Sequence, residues 1–352
     1  MNLLDTTLNQ IGPLGTTLTG RIQARLDSLT KPRGSLGRLE EVALRCALIA
    51  GHEHPQVHNK VLIVCCGDHG VCDEGISAYP RAVTAQMVYN YLRGGAAISV
   101  LARQLQIALH VVDLGVDHDF APDLPGLMQR KVAHGTANFT QRPAMTRVEA
   151  RQAVETGIVV ASEAVRTGAQ LLGVGEMGIG NSTAAAALCA ALSGRSPEEF
   201  TGFGAEVSEA RRRHKVAIIQ RALDRHRPDR TDPLGILASV GGYEIAGITG
   251  ICLAGAALRV PVVVDGFIAT AGAWVACALQ AATKDCLLFA HLSSEQGHRR
   301  VLDVLQVKPL LDLGMRLGEG TGAALGMGII DSAVRLLNEM ATFTEAGVTD
   351  KG

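Results

Sequence analysis

The chain has 352 residues, 47% of them hydrophobic and 19% charged, enough to bury a large core in one α/β domain or two unequal ones and too apolar for a disordered chain. Its net charge of −1 and 3% aromatic content leave no basic footprint for nucleic acid or an anionic membrane, and no platform for stacking bases. Most of the eight cysteines lie inside apolar runs, the pattern of buried thiols in a reducing compartment, so the expected location is cytoplasmic.

Residues 1 to about 58 read as mostly amphipathic helix, and residues 1–18 lack the apolar run of a secretory signal. The helical pattern is broken at Lys31-Pro32-Arg33-Gly34-Ser35-Leu36-Gly37-Arg38, which reads either as an anion-binding loop or, by preference, as a solvated basic turn. Val61–Cys66 is a continuous apolar run closed by Gly67-Asp68-His69-Gly70, the mark of a central parallel strand. Residues 83–104 read as a helix. Ile107–Val112 repeats the strand pattern up to Asp113, and residues 117–143 read as a connecting region. Thr146 and Glu149 fit a capping box for a helix running to about Thr167. Leu171–Val174 is a strand that ends in Gly175-Glu176-Met177-Gly178, followed by an alanine-rich helix to about Leu192. Ser196-Pro197-Glu198-Glu199 carries helix-start signals, and residues 206–226 read as a basic helix. The most apolar stretch, 245–282, is interrupted by Arg259, Pro261 and Asp265, so it reads as helix, strand and helix rather than a membrane span. A strand at Leu287–Phe289 leads to His291 and Ser293, a helix runs from about Ala323 to Met340, and the tail after Thr342 reads as frayed.

This alternation predicts a doubly wound, mostly parallel α/β sheet of Rossmann-like type, with the large domain over 60–310. A smaller helical domain is expected from 1–59 plus 311–352. Each strand ends in a polar or glycine-rich loop, at Asp68, Asp113, Glu176, Asp265 and Ser293. Open α/β sheets bind ligands at these carboxyl ends, so the five groups are expected to face one crevice.

Several motifs carry chemistry. Leu317-Gly318-Glu319-Gly320-Thr321-Gly322 is a carboxylate in a loop of nearly bare backbone, readable as a tight turn or as an acid held against a small ligand. Gly173-Val174-Gly175-Glu176-Met177-Gly178 matches the dinucleotide fingerprint in letters, but Glu176 would stand where a pyrophosphate approaches, so a mononucleotide with one phosphate near the following helix start fits better. Cys65, Cys66, Asp68, His69 and Cys72 lack the paired spacing of a metal site, and Cys65 and Cys66 point to opposite faces of a strand. Neither a metal nor a cofactor is expected. In Arg211-Arg212-Arg213-His214-Lys215, one cation turned inward to a phosphate is plausible on a helix whose face is otherwise solvated. A triad of Ser293, His291 and Asp265 lacks a nucleophile elbow.

The stretches KPRGSLGRLE (31–40), DHGV (68–71), PRAVTAQ (80–86), GVGEMGIGNST (173–183), VGGYEIAGITG (240–250), DGFIATA (265–271), HLSSEQG (291–297) and MRLGEGTGAAL (315–325) together resemble the nicotinate-nucleotide–dimethylbenzimidazole phosphoribosyltransferases of cobalamin nucleotide-loop assembly. The resemblance implies a homodimer that acts on nicotinate mononucleotide and 5,6-dimethylbenzimidazole and yields α-ribazole 5′-phosphate and nicotinate. By position, Glu319 matches the general base and Glu176 a second glutamate near the ribose. Gly175, Gly178, Ser293, Leu317, Gly318 and Gly320 match loops around ribose and phosphate, and Lys215 matches a phosphate-side lysine. Gly204 matches a neighbouring loop. Tyr79, Gln86 and Met87 fall where relatives line the base pocket, with Tyr79 and Met87 departing from the polar enterobacterial pattern, so the choice of base stays open. Asp265 belongs to the same strand-end set. A non-polar setting near Met315 and Leu317 is expected to raise the pKa of Glu319. The rival readings are an NAD-linked oxidoreductase using residues 173–178 and a non-catalytic nucleotide-binding protein.

Overall fold

The computed structural model describes residues 2–203 and 208–349. Six strands, β1 (Lys60–Gly67), β2 (Ile107–Gly115), β3 (Leu127–Gln129), β4 (Leu171–Met177), β5 (Val262–Val264) and β6 (Leu287–Phe289), form one sheet in the order β3-β2-β1-β4-β5-β6. Every neighbouring pair is parallel. This is the expected doubly wound arrangement, and its topological switch lies between β1 and β4.

The helices in chain order are α1 (Leu3–Gln10), α2 (Thr19–Ser28), α3 (Arg38–Ala50), α4 (Ala82–Arg93), α5 (Ala97–Gln104), α6 (Arg147–Arg166) and α7 (Asn181–Ser193). They continue with α8 (Glu209–His226), α9 (Pro233–Val240), α10 (Tyr243–Ala257), α11 (Phe267–Leu279), α12 (Gln296–Leu305), α13 (Thr321–Glu339) and α14 (Phe343–Ala346). All eight residues of β1 are buried, as a strand covered on both faces requires. Its side chains alternate: Ile63 and Cys65 join the core under α6, α7, α10 and α11, while Leu62, Val64 and Cys66 join the core under α3, α4, α5 and α13. Cys65 and Cys66 therefore do face apart.

Helix α10 is apolar all round, and every residue from Tyr243 to Ala256 is buried. Glycines let it lie against α6 backbone to backbone. A β-carbon at Gly157 would overlap the Gly247 carbonyl, and one at Gly250 would overlap that of Val154.

Four expectations change. The helix expected over 83–104 is two helices, because Gly94 sits at φ 80° and ends α4. The connecting region holds β3, a three-residue edge strand paired with β2. Residues 196–199 form only a single 3-10 turn, Pro197–Glu199, capped by Ser196. The tail is not frayed at Thr342: Thr342 and Glu345 make a capping box for α14, and Thr30 N–H donates to the Ala341 carbonyl at 3.0 Å. The capping box at Thr146 and Glu149 is present as expected.

The basic turn at 31–38 resolves into structure. Lys31 is buried against Glu40 at 2.8 Å. Arg38 donates to the carbonyls of Lys308 and Pro309, so the two cations hold protein atoms rather than an anion.

Candidate active site

A cavity of about 790 Å³ opens at the carboxyl ends of the strands. Its walls come from the segments 76–87, 176–182, 266–268, 293–295 and 316–319, with Phe203, Arg211 and Lys215.

The acid-bearing loop is fixed from three sides. Upstream, Leu310 and Leu311 donate to the carbonyls of Phe289 and Ala290, and Ser294 donates to that of Met315, each at 2.9 Å; the limb thus runs alongside the end of β6. Downstream, Asp265 reaches over from the end of β5, accepting from Gly320 N–H at 3.0 Å and from Ala323 N–H at 2.8 Å. It satisfies two of the open amides at the start of α13. Beneath, a β-carbon at Gly175 would stand 2.5–2.7 Å from backbone atoms of Gly320 and Glu319. The loop turns through three successive left-handed residues, Gly318 (φ 82°), Glu319 (φ 62°) and Gly320 (φ 87°). That conformation costs a non-glycine residue roughly 1–3 kcal/mol, and here the three tethers hold Glu319 in it.

Glu319 emerges on the cavity wall with only 8% exposure. Burial raises its pKa to about 7; the nearby Tyr91 hydroxyl opposes this and the Asp265 charge adds to it. The enclosure does not come from Leu317, which is 56% exposed at the lip. Glu176 faces the same space from the end of β4, its pKa raised to about 8 by burial and by the charges of Asp265 and Glu244, with Asn181 opposing. The Asn181 side-chain amide donates to the Glu176 carboxylate. The other Glu176 oxygen occupies the space that a β-carbon at Gly318 would need.

The cationic wall is α8. Lys215 and Arg211, one turn apart, both line the cavity, whereas Arg212 and Arg213 turn out to Glu209. Lys215 is 5% exposed; burial lowers its pKa and Glu295 opposes. Ser293, on the same wall, is held by its neighbours. Its N–H donates to His298 Nδ1 at 2.9 Å, and its hydroxyl accepts from Glu295 N–H at 3.2 Å. Burial, with His291 beside it, drops the His298 pKa to about 3. This neutral ring therefore carries its proton on Nε2 and donates to Thr270 Oγ1 at 3.0 Å. His291 pairs with Asp265 at 3.7 Å while Ser293 leans on His298, so the three residues do not assemble as a triad.

Of the expected residues, Glu319, Glu176, Gly178, Lys215, Ser293, Leu317, Gly318, Tyr79 and Met87 line the cavity. Gly175, Gly320 and Asp265 do not; they brace the loop from behind. Gln86 lies exposed on another face of α4, because Val83 and Met87, four residues apart, share the face that looks inward. Gly204 lies outside the described residues. Asp68 and Asp113 stay under neighbouring loops, accepting from the N–H groups of Asp117 and Val116. Gly173, Gly175 and Gly178 are each closed over by Met327, the 319–320 backbone and the Gly67 carbonyl, so the fingerprint letters serve packing. Sequence reasoning missed Asn181, Arg316, Phe203 and Phe267, which also line the cavity. Asn181 had a signal, since it opens the helix five residues after Glu176.

A family model described as Phosphoribosyltransferase matches residues 11–348. A protein of Geobacter sulfurreducens named nicotinate-nucleotide–dimethylbenzimidazole phosphoribosyltransferase is 55% identical over 350 residues, covering 99% of each chain. One of the same name from Chloroflexus aggregans is 52% identical over 351 residues, covering 100% of this chain and 99% of the other. The crystal structure of CobT from Thermus thermophilus superposes with a TM-score of 0.90 at 47% identity, covering 98% of this chain and 100% of that one.

Proposed function

Because this chain belongs to the nicotinate-nucleotide–dimethylbenzimidazole phosphoribosyltransferase family and so transfers the phosphoribosyl group of nicotinate mononucleotide to dimethylbenzimidazole, we propose that Glu319 is the general base of an inverting displacement. One benzimidazole nitrogen attacks the anomeric carbon as the bond to the pyridinium nitrogen breaks and its electron pair leaves on nicotinate. The other ring nitrogen passes its proton to the Glu319 carboxylate. Attack opposite the leaving group converts a β-riboside into an α-riboside, α-ribazole 5′-phosphate. A pyridinium is already a good leaving group, so this scheme draws on no metal and no cofactor.

The observation that carries this reading is a carboxylate held in a left-handed conformation on the wall of a cavity sized for two ring systems. Glu176 flanks the ribose. Lys215 and Arg211 take the phosphate, and Tyr79 and Met87 flank the incoming base. Base catalysis is worth roughly 10²–10⁴-fold, and holding both substrates in register supplies the remainder.

The test is a pH profile. Glu319 must be ionised to accept the proton, and its pKa is about 7, so kcat/KM rises with pH through about 7 and then levels. A profile flat from pH 5.5 to 8.5 would remove Glu319 from this role. Lys215→Ala should raise KM for nicotinate mononucleotide roughly 10- to 100-fold, the weight of a charged hydrogen bond. An unchanged KM would take Lys215 off the phosphate.

We propose a division into residues 60–310 and 1–59 plus 311–352, with α2, α3 and α13 packing together against one face of the sheet. We assign the enzyme to the cytoplasm as a homodimer. Among the described residues no helix is long and apolar enough to cross a membrane.

A further inference from the structure

Two motifs play no part in the mechanism above, DHGV (68–71) and VGGYEIAGITG (240–250), and they meet beneath the site. His69 Nε2 lies 2.7 Å from Glu244 Oε1, and neither side chain has any exposure. The ring is wedged under the cavity floor: a β-carbon at Gly178 or at Gly180 would stand 3.4 Å from His69, and one at Gly242 would overlap it. Asn181, which holds Glu176, follows directly on this turn.

We propose that His69 is a positioning residue, an imidazolium that braces the Gly178–Gly180 turn and cancels the charge of Glu244 beneath Glu176. The inference rests on the roles given above to Glu319 and Glu176. Among the described residues, Glu244 Oε2, Asp68 Oδ1 and His69 Nδ1 have no hydrogen-bond partner. A neutral ring there would leave Glu244 as a buried charge without a counter-ion, an arrangement that proteins avoid. Burial opposes the imidazolium, but Glu244 and then Asp68 outweigh it and hold the His69 pKa above its ordinary value.

The surrounding charges fit this division of labour. Glu176 is faced by Asp265 after β5, Glu244 at the start of α10 and Glu319 before α13. The β1 thiols Cys65 and Cys66 are kept protonated by burial. His291 stands beside Asp265 and His69 beside Glu244. Among the described residues, Glu176 and Glu319 have no ion-pair partner, and they are the two carboxyls whose pKa values rise to about 8 and about 7. Histidines thus accompany Asp265 and Glu244, the two buried carboxylates that flank Glu176 from behind, while Glu176 and Glu319 stand without one.

The test follows the Glu176 carboxyl by carbon-13 NMR of glutamate-labelled enzyme across pH. His69→Gln keeps a donor for Glu244 but brings no positive charge, so the Glu176 midpoint should move up, as one added like charge requires. Glu244→Gln, which lets the ring go neutral, and the double variant should both return the wild-type midpoint. A Glu176 midpoint in His69→Gln equal to wild type would overturn the proposal and leave only bracing. Nitrogen-15 NMR of histidine-labelled wild-type enzyme reads the same charge without turnover and without a His69 variant. One of the eleven histidines should titrate above the ordinary imidazole range and lose that elevation in Glu244→Gln; eleven rings titrating at or below the ordinary range would overturn it. Failure of the Glu319 reading shows separately, as turnover retained in Glu319→Gln.

Discussion

Glu319→Gln should lower kcat by about 10²–10⁴-fold, with the fold and the binding of nicotinate mononucleotide retained. Glutamine keeps the size and the left-handed backbone but cannot take a proton from the attacking base. The same variant should be more stable than wild type in alkali. The folded pKa of about 7 lies above the ordinary carboxyl value, so the native state binds more protons than the unfolded chain between the two. Stability therefore falls as pH rises through that window and stays lower above it. Melting temperatures of the variant and the wild type should coincide near pH 4 and separate by pH 8, with glutamine the higher. Turnover within tenfold of wild type, measured as product by mass, would end the assignment, and equal melting at pH 8 would show that folding does not raise the pKa of this carboxyl.

Gly175→Ala should be nearly as damaging although Gly175 does not line the cavity. The added carbon would lie 2.5 Å from Gly320 N and 2.7 Å from the Glu319 carbonyl carbon. Both are backbone atoms, pinned by Asp265 on one side, and Leu62 lies behind Gly320. No flexible side chain can step aside, so the loop must shift by about 1 Å, and misplacement on that scale can cost roughly 10²-fold in kcat. Overpacking of this kind costs about 1–3 kcal/mol of stability. Gly20→Ala, with nothing within 4 Å of the new carbon, is the control and should leave activity unchanged. If Gly175→Ala retained full kcat, the loop would be shown to tolerate displacement, and the argument from its three tethers would fail.

The sheet was legible because β1 and β4 are short, fully buried runs closed by glycine or acid, the pattern of strands covered on both faces. The edge strand β3 was hidden, since three half-buried residues carry no period. The break at Gly94 was missed although the letters carry a turn signal there, the Gly94-Gly95 pair. At the site, the letters showed a glutamate among glycines, but not that Glu319 itself is left-handed. They matched Gly175 to a ligand loop, whereas it packs against the backbone of Glu319 and Gly320 behind the cavity wall; a glycine needed for close backbone packing looks the same as one needed for a phosphate. His69 and Glu244 lie 175 positions apart. Strand-end reasoning put the histidine's neighbour Asp68 in the crevice, whereas Asp68 lies under a neighbouring loop.

The buried helix α10 also constrains how the chain is made. It leaves the ribosome after β1, β2, α6 and β4, all of which it covers. Until residue 257 is synthesised, one face of the growing sheet has no lid, and exposed faces of that kind drive association between chains. Fragments that stop before α10 should therefore aggregate instead of forming an autonomous amino-terminal unit, and co-translational protection by chaperones matters most over the interval between completion of β4 and release of α10.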